Sequence, residues 1–368
     1  VIAAAAPAGL YTFTTVNSFN GANGATPGSP LTVDAQGNLF GTTIHGGLKH
    51  RGTIYTIPAG TRAIGALAFF SGSQGSGPAG SLLLDSQDNI FGTTSRGGKE
   101  NKGALFTLYD GKSVIHPLAS FNGAGNGGNP GSGLTAGLQG NLYGTTQNGG
   151  AFHAGTVFVV SPGSPPVRTL VSFNRYDGAK PSSTLVTDPQ GDLFGTTQKG
   201  GNHGRGTVFE IPAGTSTIIK LASFNGSNGA HPLGPLTRDA AGDLFGTTTA
   251  GGAAGLGTIF EIAAGSGTIT KLASFGNATG HRSTGALVED AHGDLIGTTQ
   301  KGGSGGKGTV FELAPGSSIA TPLVIFAGRN GANPTGSLVV NTQGTILGTT
   351  ANGGKYGKGT VFALTPRS

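Results

Sequence analysis

The sequence predicts an all-β, seven-bladed β-propeller built from four-stranded antiparallel blades. One phrase, typified by GNLFGTTIHGG, recurs seven times, starting at Gly37, Asp88, Gly140, Gly191, Gly242, Gly293 and Gly344. Steps of 51 or 52 residues separate the copies. A fixed period of this size marks a repeat architecture in which each unit buries its apolar faces against its neighbours. Each copy also holds four short β-type segments parted by turn residues, the content of one propeller blade, and seven is a common closure number.

The elements can be read in order from residues 235–275, PLTRDAAGDLFGTTTAGGAAGLGTIFEIAAGSGTITKLASF. The segments PLTRD, DLFGTT, GTIFEI and TITKLASF are strands A, B, C and D, rich in β-branched and aromatic residues. Between A and B, Asp239 can accept backbone N–H bonds and Gly242 can take positive φ, which makes a tight turn. AAGSG turns C into D, while the longer BC and DA connections lie at the opposite edge. Phe19, Phe70, Phe121, Phe173, Phe224, Phe275 and Phe326 recur on strand D, and Phe158, Phe209, Phe260, Phe311 and Phe362 on strand C. Blade sheets are covered on both faces, so these are packing residues. The glycine of GTT is expected to allow close backbone approach at the blade face. A sustained 3.6-residue period is missing, which excludes helical repeats.

The chain ends point to ring closure. LYTFTTVNSFNG (Leu10 to Gly21) matches the strand D phrase at Ile218 to Gly226, and the last copy stops after strand C. Residues 10–19 are expected to complete the blade containing residues 338–364, hiding two sheet edges. The expected organisation is a linker over 1–9 and one propeller over 10–368.

Composition narrows the function classes. Glycine is 72 of 368 residues and charged residues are 10%, yet apolar residues recur in phase, which argues against disorder. Without cysteine there is neither a disulfide framework nor a thiolate metal site. No run approaches the ~18 apolar residues of a membrane span. The opening VIAAAAPAGLY resembles the tail of a processed export signal, which favours a secreted or cell-surface bacterial protein. A net charge of +6 is too small to imply a specific nucleic-acid partner unless the charges cluster.

They do cluster, by loop. The seven BC loops carry 11 of the 22 Lys and Arg residues and one acid, Glu100. The basic residues are Lys49, Arg51, Arg96, Lys99, Lys102, Lys199, Arg205, Lys301, Lys307, Lys355 and Lys358. The AB turns instead gather Asp34, Asp85, Asp88, Asp188, Asp192, Asp239, Asp243, Glu289, Asp290 and Asp294. One face of the disc should therefore be basic and the other acidic, and single-sign surfaces focus counter-charged partners. On the basic side His45, His50, His153 and His203 fall in BC loops, and His231 and His281 in DA loops. The DA loop NRYDGAKPSS (Asn174 to Ser183) breaks the repeat with Arg175, Tyr176, Asp177 and Lys180. The eleven basic residues, with Arg175, Tyr176, His45, His203, His231 and His281, form the candidate ligand-binding set.

Two tempting motifs fail on physical grounds. GGNHGRG, at residues 200–206, has the glycine density of a phosphate loop but leads into a strand, whereas a phosphate cradle opens a helix. The DxxG[DN] turns suggest calcium, but Gly137, Asn341 and Thr345 break the carboxylate pattern, and capping explains the rest. No catalytic residue, metal or cofactor is expected.

The pairing of LFGTTxxGG with GTVFEI, followed by LxSFNG, resembles the bacterial extracellular tandem-repeat proteins of GloVer type. Strands A and B, as in LTVDAQGNLFGTT, are similar in layout to NHL-type propeller blades. The resemblance spans residues 10–364 and implies a secreted or surface-displayed propeller, with no catalytic residues to carry over. The expected role is a binding or structural module for polysaccharide or another anionic or hydroxyl-rich polymer. The alternatives are a propeller enzyme of polysaccharide-lyase or lactonase type at the axial channel mouth, and a filament subunit that self-associates through its two faces.

Overall fold

The computed structural model describes residues 11–78, 80–162 and 164–367; the linker expected over 1–9, together with Leu10, lies outside them. Seven antiparallel sheets follow one another around a central axis as an all-β seven-bladed propeller. In the fifth blade strand B is Leu244–Ala250, strand C is Thr258–Ile262 and strand D is Thr270–Ser274, hydrogen-bonded in that order. Strand A differs from the single segment expected. It is split into Ala230–Pro232, paired with the end of B, and Thr237–Arg238, paired with its start. The intervening residues leave the sheet toward the axis, where Gly234 lies against the Gly285 carbonyl and Gly285 against that of Gly336.

At the seam, the N-terminal strand Tyr11–Ser18 pairs antiparallel with Thr360–Pro366, so the seventh sheet is built from both ends of the chain.

The cores lie between blades. One typical cluster joins Val208 and Ala222 of the fourth blade to Phe224, Leu236, Leu244 and Phe260 of the fifth. Each phenylalanine that ends a D strand packs against the strand C aromatic of the next blade, edge-on in six pairs and tilted at Phe326 and Phe362. Phe224 and Phe260 have ring centroids 5.0 Å apart, and Phe19 and Tyr55 4.9 Å. Such pairs contribute about 0.5–1.5 kcal/mol beyond their area burial. The GTT glycine serves the same aromatic. Gly195 faces Phe209 across the sheet, and a Cβ there would lie 2.7 Å from the ring. The close approach is therefore by a side chain rather than by backbone. The second threonine of GTT pairs with the one opening strand C, as in Thr197 and Thr207 (2.8 Å), and Thr207 reaches the Asp177 carbonyl in the DA loop.

The AB turns form on their aspartates. Asp188 accepts the N–H groups of Gln190 and Asp192 (3.0 and 2.9 Å), and Asp239 those of Gly242 and Asp243 (both 2.8 Å). Where Gly137 replaces the aspartate, the turn becomes a short 3-10 segment, Leu138–Gly140, with Gln139 at φ 60°. No helix is long and apolar enough to cross a membrane among the described residues.

Candidate functional site

Glycines build each BC loop, helped in five blades by one serine. In GGNHGRG, Gly206 has φ 104°, and a Cβ there would collide with the Thr197 carbonyl and press on Pro232 of the next blade. In five blades the serine before the D-strand phenylalanine pins the loop from the side, as where Ser223 Oγ accepts the Asn202 N–H (3.2 Å) and Ser18 that of Lys355 (3.1 Å), and in the other two Phe69 and Ile325 pack there instead. The remaining loop positions carry the variable side chains.

These side chains fall at three levels. His45, Arg96, Lys199 and Lys301 end B-strand segments or extend them by one bridge, facing the inner strand. Arg51, Lys102, Arg205 and Lys307 lean across the glycines Gly72, Gly123, Gly226 and Gly328 of the following DA loops. Lys49, Lys99, His203 and Lys355 stand exposed at the tips, the Lys355 ammonium 5.1 Å from the Tyr356 ring centre. Lys358 lies beside Gly359, the seam glycine against Pro27, and its carbonyl accepts the Thr26 N–H (2.9 Å). Among the described residues none of these lysines and arginines forms an ion pair.

One cleft on this face gathers several of them. Between the first and second blades, His45, His50, Arg51 and Arg96 line a space of about 400 Å3 with Ile44, Ser76, Gly77 and Ser95, and no acid lines it. His50 has φ 54° at a turn position where the fourth to seventh blades use Gly204, Gly255, Gly306 and Gly357. Backbone of this kind is uncommon for a residue with a Cβ, though histidine tolerates it better than most.

The other histidines do not join this cleft. His231 belongs to inner strand A, and His281 to the single bridge that stands in its place in the sixth blade, rather than to DA loops, because the inner piece was hidden in what read as loop. His231 lies within Ala230–Pro232, its Nδ1 2.9 Å from the Gln198 carbonyl of the preceding blade. His281 bridges to Lys301; burial, with Lys301 and Arg282 nearby, pushes its pKa below the ordinary histidine value.

The loop Asn174–Ser183 is likewise more structural than its composition suggests. Asn174 and Asp177 exchange backbone-to-side-chain hydrogen bonds as Asn225 and Asn228 do one blade on. Burial raises the Asp177 pKa. Arg175 is left-handed at φ 73°, and Tyr176 is 70% exposed with the Lys220 ammonium 3.5 Å over its ring.

The sequence reading missed a ring at the axial mouth. Thr26, Gly77, Asn129, Lys180, His231, Arg282 and Asn333 occupy one position of inner strand A, all with φ between 55° and 61°. Its signal was a proline following six of the seven. Below it, all seven blades contribute to an axial cavity of about 230 Å3, lined by glycine, serine, threonine and proline with Leu233 and Gln300, and by no titratable side chain.

On the opposite face the carboxylates crowd one another. Burial, with the nearby Asp192 and Asp188, raises the Glu210 pKa, and Glu261 is raised by burial with Asp243 and Asp239. Burial alone would also raise Asp85, but hydrogen bonds from the Asn89 side chain and the Gln87 and Asn89 N–H groups outweigh it and hold its pKa below the ordinary value.

Comparison with solved structures returns propellers. Virginiamycin B lyase from Staphylococcus aureus is 15% identical, with a TM-score of 0.64 over 96% of this chain and 99% of its own. The extracellular domain of a putative hybrid two-component system from B. thetaiotaomicron is 11% identical, with a TM-score of 0.64 over 97% of this chain and 40% of its own. A puromycin-hydrolyzing peptidase from Mycobacterium tuberculosis gives a TM-score of 0.55 at 13% identity, over 90% of this chain and 51% of its own. At these identities the likeness is one of fold. No curated protein sequence matches the chain. The profile of the Gloeobacter/Verrucomicrobia repeat matches residues 2–137, 61–240, 109–288 and 189–368, and the chain belongs to that family.

Proposed function

We propose that the protein is an extracellular or cell-surface binding module that takes an anionic or hydroxyl-rich polymer, foremost a polysaccharide, on its BC-loop face. The observation that carries this reading is the segregation of charge. The loops of one face hold half of the lysines and arginines, without ion pairs among the described residues, and of the 16 acids only Glu100 and Asp177 lie on that side. The cleft of His45, His50, Arg51 and Arg96 is its most concentrated point. Repetition around a ring lets weak contacts with a long ligand add as avidity. The axial cavity below the mouth is lined by hydroxyls, backbone and one amide, which supports binding over turnover inside it.

An array of glycans with an anionic-polysaccharide panel tests this, run beside an assay for released unsaturated sugar. Salt-sensitive binding without turnover is expected. Binding to no polymer overturns the reading, and turnover replaces it with a lyase.

The opposite signs of the two faces favour a second reading, head-to-tail stacking of discs into filaments. Light scattering that rises as salt is lowered supports stacking, and salt-insensitive monodispersity removes it.

A further inference from the structure

We propose that the AB turn of the sixth blade is a binding site for one divalent first-row metal ion, zinc or manganese by its chemistry, held by Asp290, His292 and Asp294. Oxygen or nitrogen atoms of these three side chains lie within 4.8 Å of one another, the one such trio of histidine and carboxylate groups among the described residues. Carboxylates in turns are common on this face, so the case rests on what is different about this one.

The difference is a missing donor. In four other blades the residue equivalent to Asp294 accepts a backbone N–H from the CD turn. Asn38 accepts that of Ala59 (2.9 Å), Asn89 that of Asp110 (3.1 Å), Asp192 that of Ala213 (2.7 Å) and Asp243 that of Ala264 (2.7 Å). The sixth blade has Pro315 there, which has no N–H to give. Two other blades also carry proline, Pro162 and Pro366, but opposite the neutral Asn141 and Thr345. Only the sixth sets a proline against a carboxylate. Asp294 is 6% exposed, and among the described residues its carboxylate accepts no hydrogen bond while it faces Asp290. A carboxylate so little exposed, with no protein donor and a second carboxylate beside it, is a favourable place for a cation.

The same turn supplies the third ligand. The position before the turn glycine is glutamine in five copies and Ala241 in the fifth, and it is histidine only here. His292 Nδ1 lies 3.5 Å from Asp290 Oδ2, and its side chain is 64% exposed, free to swing onto an ion. Two carboxylates with an imidazole suit zinc or manganese, whereas calcium takes an oxygen shell. Asp290 is oriented from outside the trio, since the Tyr11 hydroxyl donates to its Oδ2 (2.7 Å). Outer partners of this kind fix ligand geometry. Tyr11 begins the strand that closes the seventh blade, so a bound ion braces the sixth blade against the seam.

Titration calorimetry of the whole chain with zinc chloride and with manganese chloride is the test. One saturable equivalent per chain is expected for at least one metal, with a rise in Tm that EDTA reverses. His292→Ala and Asp294→Asn should each weaken binding by about tenfold or more. Pro315→Ala, which returns the N–H to Asp294, should weaken it severalfold, and Asp243→Asn in the fifth blade should leave it unchanged. Lack of saturable binding overturns the proposal. So does binding that His292→Ala and Pro315→Ala both leave intact, a result that remains readable even where Asp294→Asn fails to fold.

Discussion

The two faces of the disc carry opposite charges and use them differently. On the AB-turn face the turn aspartates are engaged in the fold: Asp34 gathers the N–H groups of Gln36 and Asn38 together with the Asn38 amide, Asp85 does the same with Gln87 and Asn89, and Asp188 gathers the N–H groups of Gln190 and Asp192. On the BC-loop face the fold is carried by glycines, proline contacts and, in five blades, a pinning serine, and among the described residues the loop cations form no ion pairs. Similar exposure thus hides two kinds of chemistry. Aspartates on one side cap turns, and the bases on the other form no ion pair among the described residues.

Substitutions can break or sharpen that contrast, here ranked by their effect on stability. Deleting residues 1–20 removes strand Tyr11–Ser18 from the seventh sheet and should lower Tm by about 10 °C or more, because two sheet edges open at once. An unchanged Tm would show that the seam does not hold the ring. Gly206→Val asks for a side chain at φ 104° against the Thr197 carbonyl, and should cost about 3 kcal/mol or more in chemical denaturation. Full stability would mean that BC glycines are not the scaffold of their face. Asp239→Ala should cost about 1–2 kcal/mol by freeing two turn N–H groups, with polymer binding untouched.

A smaller effect, of opposite sign, is expected at Glu210. Its raised pKa means that the folded chain binds this proton more tightly than the unfolded chain. The stability it contributes is complete at acid pH and is lost as pH rises through the raised value. Glu210→Gln should therefore raise Tm at pH 7 by about 1 °C, with the gain gone below about pH 4. A gain that persists in acid would assign the effect to packing. Smallest of all for stability, Arg51→Glu with Arg96→Glu should shift Tm by less than about 1 °C yet weaken polyanion binding by about tenfold or more. Binding that survives this double reversal would move the ligand away from the cleft.

The repeat phrase made most of the fold legible. Its period sets the blade count, the DxxG turns identify themselves by Asp239 and Gly242, and Phe224 and Phe260 announce a core. Strand A was misread because its inner piece is three residues long, Ala230–Pro232, with His231 at φ 56° before a proline. Apolar alternation cannot reveal so short a strand, and residues before proline ordinarily favour extended backbone. His231 and His281 were misplaced for that reason. The unpartnered Asp294 was hidden differently, since its cause is Pro315, 21 residues later in the chain. Turn capping was read from the turn alone, and the missing donor belongs to its neighbour.

The aromatic that ends each D strand belongs to the core of the next blade, so sequence repeat and sheet are offset from one another. A gene that copies or drops one 51-residue unit therefore keeps every aromatic with a partner, wherever the recombination break falls. Such a ring can change its number of units by ordinary unequal crossing-over, and each inherited copy arrives with a new set of loop residues to vary.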